Sequence, residues 1–310
     1  MTRAALLRVV AAAALLFAVV RLADPAALQT ALAGADSGWL AAGFALALAS
    51  NIASALRWRL LTQWLGAAVR PLFALTTYFR AMALNALLPG AVVGGDLFRA
   101  LALRQAGLPS LDAGLSVVLD RVSGLWVLLS IGAFALPFAQ DHLVIALPWP
   151  PVLLDVLAVA GGVVLLVAPL ALIALRLDPA GGRIMAALAR VQSRLMRPQA
   201  LRQYALQMGA SLAVQALSIA ALAFGGRAVG LDLPASVWIA AAAPIFLMAA
   251  LPVSVGGWGT REAAAGVALA AFGVPAAQAV GAALIYGLYG LAQAALGGLM
   301  FARRAAPGAG

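Results

Sequence analysis

Charged and polar side chains stand inside apolar stretches at four places along the chain, and these are the candidates for any chemistry the protein performs. The first is Arg80 with Asn85 in LFALTTYFRAMALNALL. Five positions apart, they do not share one narrow helical stripe, yet both can approach a common cavity. A guanidinium there can grip a phosphate through two parallel hydrogen bonds, or it can snorkel or pair structurally. The second is LPGAVVGGDLFR, where Pro89, Gly90, Gly94 and Gly95 predict unwound backbone and Asp96 opens a short helix containing Arg99. Free amides at such a helix start bind anions, and Asp96 is either their cap or a ligand for substrate or proton.

The third place is Asp120 with Arg121 in LSVVLDRVSGLWVLL. Neighbours in sequence point about 100° apart on a helix, so each needs a partner on another element. Arg99 for Asp120 and Glu262 for Arg121 are the candidates. The fourth is LPVSVGGWGTRE, which holds Pro252, Ser254, Gly256, Gly257, Arg261 and Glu262, the only Glu in the protein. A carboxylate there can exchange a proton or make a structural salt bridge. An unpaired charge at the centre of a bilayer costs about 2.5–3.5 kcal/mol on insertion scales, so each place needs either a partner or a wet cavity.

The elements that must position these residues are membrane helices. Of 310 residues, 65% are apolar and 10% charged, against about 25% charged in an ordinary soluble domain. Apolar runs able to cross about 30 Å of hydrocarbon recur from Val9 to Val20 extended by its flanks, Trp39 to Leu56, Leu115 to Pro137, Val152 to Leu175, Tyr204 to Phe224 and Ala277 to Met300. Two further runs, Leu72 to Leu88 and Ser236 to Leu251, end at the Pro and Gly pairs above. The expected fold is therefore an all-α polytopic domain over 1–310, with about six spanning helices and two re-entrant helical hairpins.

The two breaks resemble each other. Leu88 and Pro89 match Leu251 and Pro252, Gly94 and Gly95 match Gly256 and Gly257, Arg99 matches Arg261, and GLP at 107–109 matches GVP at 273–275. This predicts repeated halves over about 39–138 and 203–302. All twenty basic residues are Arg, and cytoplasmic loops of bacterial inner-membrane proteins collect them. Placing Arg3, Arg8, the loop with Arg57, Arg59 and Arg70, and the cluster from Arg176 to Arg202 on the cytoplasmic side puts both termini inside. The same count makes the hairpins enter from opposite faces, as in an inverted repeat with a midplane site. Within segment 177–202, Arg183, Arg190, Arg194 and Arg197 oppose Ile184, Leu188, Val191 and Leu195, predicting an amphipathic helix on the cytoplasmic surface.

The net charge of +10 is read as topological, because the Arg residues lie between spans, and nucleic acid is not an expected partner. With no Cys and a single His142, no thiolate or His-built metal site is expected. No nucleophile elbow, phosphate-binding loop, HExxH or dinucleotide fingerprint occurs, so neither a catalytic residue nor a cofactor is expected.

Taken together, NALLPGAVVGGDLFRALALRQAG, SVVLDRVSGLW and LPVSVGGWGTREAA resemble the lysylphosphatidylglycerol synthase transmembrane region, also called the flippase-like domain family. The resemblance implies a membrane domain that moves lipids between leaflets, fused in some members to a cytosolic transferase. This chain is expected to lack that transferase, since it ends six residues after Arg304. By motif position the resemblance implies roles for Asn85, Pro89, Gly94, Gly95, Asp96, Arg99, Asp120, Arg121, Gly257, Arg261 and Glu262. Trp258 departs from the pattern, which favours a smaller or aliphatic residue. The leading expectation is a translocase of an anionic phospho- or polyprenyl-type lipid, with Arg80, Arg99, Arg121 and Arg261 on the headgroup. A membrane subunit or enzyme of lipid synthesis, or a partner of such an enzyme, and a secondary transporter of a non-lipid solute are the alternatives.

Overall fold

The computed structural model describes residues 3–22, 24–87, 92–145, 148–174, 182–251 and 256–302. Twelve α-helices occupy them: α1 (Arg3–Leu22), α2 (Pro25–Ala33), α3 (Ser37–Trp64), α4 (Pro71–Leu87), α5 (Val92–Gln105), α6 (Ser110–Ala139), α7 (Pro151–Ala174), α8 (Arg183–Leu195), α9 (Ala200–Ala228), α10 (Ala235–Ala250), α11 (Thr260–Ala270) and α12 (Ala276–Ala302). No strand occurs among the described residues. Five helices, α3, α6, α7, α9 and α12, are long and apolar enough to cross a membrane. The end of α1 and α2, joined through a 91° bend, make a sixth crossing if counted as one span. The protein is thus a multi-pass membrane protein, as its composition requires.

At the centre α3 lies against α9, and the sequence explains why these two pair. Gly43, Ala47, Ser50, Ser54 and Arg57 recur at spacings of four and three, forming one small and polar stripe on α3. Gln207, Ser211, Gln215 and Ser218 form its counterpart on α9. Small side chains let helices approach closely where lipid gives no hydrophobic drive, and polar ones bond across the seam. Ser50 Oγ is 2.7 Å from Ser218 Oγ and donates to the Val214 carbonyl at 3.1 Å. Around this pair α4 packs on α12, α6 on α10, and α7 on the outer side of α6. Only 6% of the α7 span is buried, which is why Val152, Val156, Val163 and Val164 face outward.

The two interrupted segments each form a pair of helices in mutual contact, α4 with α5 and α10 with α11. At 1.5 Å per residue α5 and α11 are about 21 and 16 Å long, too short to cross alone. The breaks themselves, with Pro89, Gly90, Pro252 and Ser254, lie outside the described residues. Two expectations are corrected here. Gly94 and Gly95 are not unwound but sit in the opening turns of α5, and Asp96 lies inside the helix, not at its cap. The reason is packing: a Cβ at Gly95 would collide with the Ala81 carbonyl oxygen, so glycine is required for α5 to cross α4. In the second segment Gly256, Gly257 and Gly259 do carry the unwound backbone, with φ of 59°, 80° and 83°.

The amphipathic segment forms α8, as expected, and its C-terminal end is tied down by a carboxylate that the sequence reading passed over. Buried Asp112, in the first turn of α6, accepts from Arg194 Nη1 at 3.2 Å and Arg197 Nη2 at 3.5 Å. An anion at a helix start also suits the helix dipole. Asp112→Asn should release this end of α8. Trypsin should then cut after Arg194 about three to five times faster in detergent, as expected for half-exposed pairs worth about 1 kcal/mol; Arg197 precedes Pro198 and is not a cleavage site. Unchanged digestion would mean that other contacts hold the segment.

Candidate functional site

Four of the singled-out residues come together, and a fifth joins them. Arg121 on α6 holds Asp96 on α5 through two bonds, Nε to Oδ2 and Nη2 to Oδ1, both 3.0 Å. Asp96 is also 3.7 Å from Arg99 Nη1, one turn further along α5. Arg99 Nη2 reaches Asp120 Oδ2 at 2.6 Å, and Arg57 on α3 takes the other Asp120 oxygen through Nε at 3.1 Å and Nη2 at 2.9 Å. The result is an alternating chain, Arg121, Asp96, Arg99, Asp120, Arg57, carrying three positive and two negative charges.

This chain runs from surface to core. Arg121 is 43% exposed and Asp96 22%, whereas Arg99, Asp120 and Arg57 are 3%, 2% and 5% exposed. Its buried end is extensively hydrogen-bonded, although Arg99 Nε has no hydrogen-bond partner among the described residues. Arg57 also donates to Ser211 Oγ at 2.9 Å and to the Asp120 carbonyl at 2.9 Å, and Gln207 Nε2 donates to the Arg57 carbonyl at 3.3 Å. Arg99 lies between the rings of Trp58 and Tyr78, 4.4 and 4.8 Å from their centres, where its guanidinium gains cation–π attraction. The exposed end opens sideways into a groove of about 390 Å3 between α5 and α6, lined by Asp96, Ala100, Gly114 and Arg121.

Several expectations change. Arg99 does pair with Asp120, but Arg121 pairs with Asp96 and not with Glu262. Glu262 is fully buried and accepts from its neighbour Arg261 and, at 2.6 Å, from the Gly259 amide. Pairing with Arg121 is unnecessary because those local donors occupy both oxygens. Asn85 Oδ1 accepts from the Gly95 amide at 2.9 Å, so it fastens α4 to α5. Arg57 is no loop residue: helix α3 continues past the apolar run and buries it. Arg80 stands apart from the chain, with Nη2 on the Met300 carbonyl and its guanidinium 5.2 Å from the Phe301 ring centre. Beside Arg80 a second groove of about 650 Å3 contains Arg70, Thr76 and Gln105.

Arg261 and Glu262 form a separate ion pair with Trp258 beneath it, the ring centre 5.0 Å from the Arg261 guanidinium carbon. The residue that departed from the expected pattern therefore serves as a platform for this cation. Among the described residues no cluster of His, Cys, Asp or Glu suits a metal ion.

What this arrangement can do chemically is hold an anion. A buried chain with one surplus positive charge, reachable from the side, suits a phosphate, whereas neither an activated nucleophile nor a poised acid and base pair occurs within it. A search of curated proteins gave no significant match. The family model described as the Lysylphosphatidylglycerol synthase TM region matches residues 5–297, nearly the whole chain, and the protein belongs to that family.

Proposed function

We propose that the protein carries lipids with an anionic, phosphate-bearing headgroup between the leaflets of the bacterial inner membrane, with both termini in the cytoplasm. Membership of a lipid-associated membrane family supports this reading. The single observation that carries it is the net-positive chain of five charges whose outer end, Arg121, opens laterally where a headgroup can enter while its tails stay in lipid. In this reading the protein is a carrier and not an enzyme, acts on membrane lipids with a separate lipid-synthesis enzyme as its natural partner, and uses no nucleotide.

Internal two-fold symmetry fits a carrier that must face both leaflets, and the packing pattern supports it. Among these eight helices, exchanging α3, α4, α5 and α6 for α9, α10, α11 and α12 turns the main contacts into one another: α4 on α12 becomes α10 on α6, α5 on α6 becomes α11 on α12, and α3 on α9 is unchanged, while α7 on α6 has no counterpart. The α4–α5 and α10–α11 pairs are then the two opposed re-entrant hairpins of an inverted repeat.

Proteoliposomes with fluorescent phosphatidylglycerol, bleached from outside by dithionite, test the proposal. Arg121→Gln should slow exchange about tenfold or more, as expected when one charge-assisted hydrogen bond of about 1.5–3 kcal/mol is lost from the moving headgroup. Because Arg121 is half-exposed, the variant should keep its native melting temperature. A folded variant that exchanges lipid at the native rate would remove Arg121 from the lipid path.

A further inference from the structure

The two halves can be set in register from backbone geometry. Gly107 and Gly273 both have positive φ, 94° and 75°. Leu108 N donates to the Leu103 carbonyl and Val274 N to the Leu269 carbonyl, while Gly107 N reaches Arg104 and Gly273 N reaches Ala270. The two turns share both of these hydrogen bonds and the positive-φ glycine. Counting back along α5 and α11 from that turn matches Asp96 with Glu262, Gly95 with Arg261 and Ala100 with Gly266. Counting forward matches Gly114 with Val280 and Arg121 with Gly287. Arg99 and Arg261, alike in motif position, stand one helical turn apart in this register.

In this register the lateral groove beside Asp96 has a twin. A groove of about 240 Å3 between α11 and α12 is lined by Glu262, Ala263, Gly266 and Val280, the counterparts of four residues lining the first. Both contain a carboxylate held by an arginine, but the arginine comes from opposite sides of the seam. In the first half a Cβ at Gly95 would strike the Ala81 carbonyl oxygen, so position 95 cannot supply the cation and α6 holds the carboxylate through Arg121. In the second half Arg261 supplies it, and its guanidinium lies where a side chain at Gly287 would begin. One difference remains. Val19 and Leu22 of α1 line the second groove, and Glu262 beside it is fully buried, whereas among the described residues the first is lined by α5 and α6 alone.

Resting on the carrier reading above, we infer that the α11–α12 groove is a second lateral site for a phospholipid headgroup, equivalent to the α5–α6 groove and covered by α1. Displacing α1 exposes the Arg261–Glu262 pair to lipid, so that one groove admits a headgroup and the other releases it. The second pair is neutral where the first chain is net positive, which favours release of an anion there.

The protein has no Cys, so Ala100→Cys and Gly266→Cys can each carry a single bimane label; a Cβ at Gly266 meets only ordinary contacts. The probe is a phosphatidylglycerol vesicle doped with lipid spin-labelled on its headgroup. Bimane at 100 should be quenched in the otherwise native protein. Bimane at 266 should be quenched at least threefold less, rising to the level seen at 100 once Val19→Ala and Leu22→Ala trim the cover, or with Val19→Ala alone if the pair is unstable. Quenching at 100 with none at 266 after trimming overturns this inference alone, and equal quenching before trimming overturns the cover. Absence of quenching at both positions overturns the carrier reading as well. A separate arm tests the equivalence: Gly287→Arg should lower the melting temperature, and adding Arg261→Gly should restore it. A double variant no more stable than Gly287→Arg would show that the two pairs are not interchangeable.

Discussion

Replacing Asp120 with alanine should unfold the protein in mild detergent under conditions where the native chain is intact. Among the described residues Asp120 is the only carboxylate within salt-bridge distance of Arg57, and it also pairs with Arg99; both arginines are almost fully buried. Removing one partner of a buried ion pair costs about 3–5 kcal/mol, because the stranded charge keeps its desolvation penalty without its compensation. Asp120→Asn, which keeps the shape and loses the charge, should be nearly as damaging. The informative variant is the double one, Asp120→Ala with Arg57→Leu. If the loss comes from stranded charge, removing a stranded guanidinium should recover a large part of it, and Asp120→Ala should be worse than the pair. Melting curves followed by size-exclusion chromatography measure both. A double variant less stable than Asp120→Ala would mean that Arg57 stabilises α3 against α9 chiefly through Ser211 and the backbone, independently of its charge partner.

The reading of this cluster from sequence shows how far apolar pattern carries and where it stops. Hydropathy located all five helices that are long and apolar enough to cross, since a run that must cross lipid announces itself by composition alone. It also located both interruptions, because Pro and paired Gly break a helical pattern visibly. Arg57 escaped because the run it belongs to ends at Leu56, and a charge past the end of an apolar run looks like a loop residue. The signal that contained it was the four-and-three spacing of Gly43, Ala47, Ser50 and Ser54, which continues to Arg57 and marks a seam between helices and not a face toward lipid. Asp112 escaped for the same reason, near the start of α6, and only the fold brings Arg194 and Arg197 to it.

Partners were less legible than positions. That Asp120 needs a cation from another element follows from helical geometry, and Arg99 was a correct choice. Arg121 was a different matter, since its choice between Asp96 and Glu262 depends on which helices touch. Contacts between α5 and α6, and between α11 and α12, settle it, and no local pattern encodes them. The same holds for glycine. Gly94 and Gly95 look in sequence like Gly256 and Gly257, yet the first pair is helical and the second unwound, because a crossing helix and a positive φ make the same demand on side-chain size.

That demand is sharpest at Gly297, where valine should be the most damaging single addition to the helical core. A Cβ at this position would collide with the Phe79 carbonyl oxygen and carbon, and both are backbone atoms of α4 that cannot turn aside. The α4–α12 contact is among the most extensive in the molecule, so relief requires the two helices to separate along their length. Overpacking alone costs about 1–3 kcal/mol. Here the separation would also loosen Arg80 from the Met300 carbonyl and Phe301, one turn further along α12. The adjacent Gly298 provides the control, because a Cβ there meets nothing within 4 Å. Gly298→Ala should therefore be neutral, or stabilising by about 0.5–1 kcal/mol from reduced backbone freedom. Gly297→Ala should lie on the damaging side, since even a methyl group meets backbone. Lipid exchange should fall with Gly297→Val in the fraction that still folds, because α4 carries Tyr78 against Arg99 and Asn85 against Gly95. Equal melting temperatures for the alanine variants at 297 and 298 would mean that α4 and α12 do not meet at this crossing.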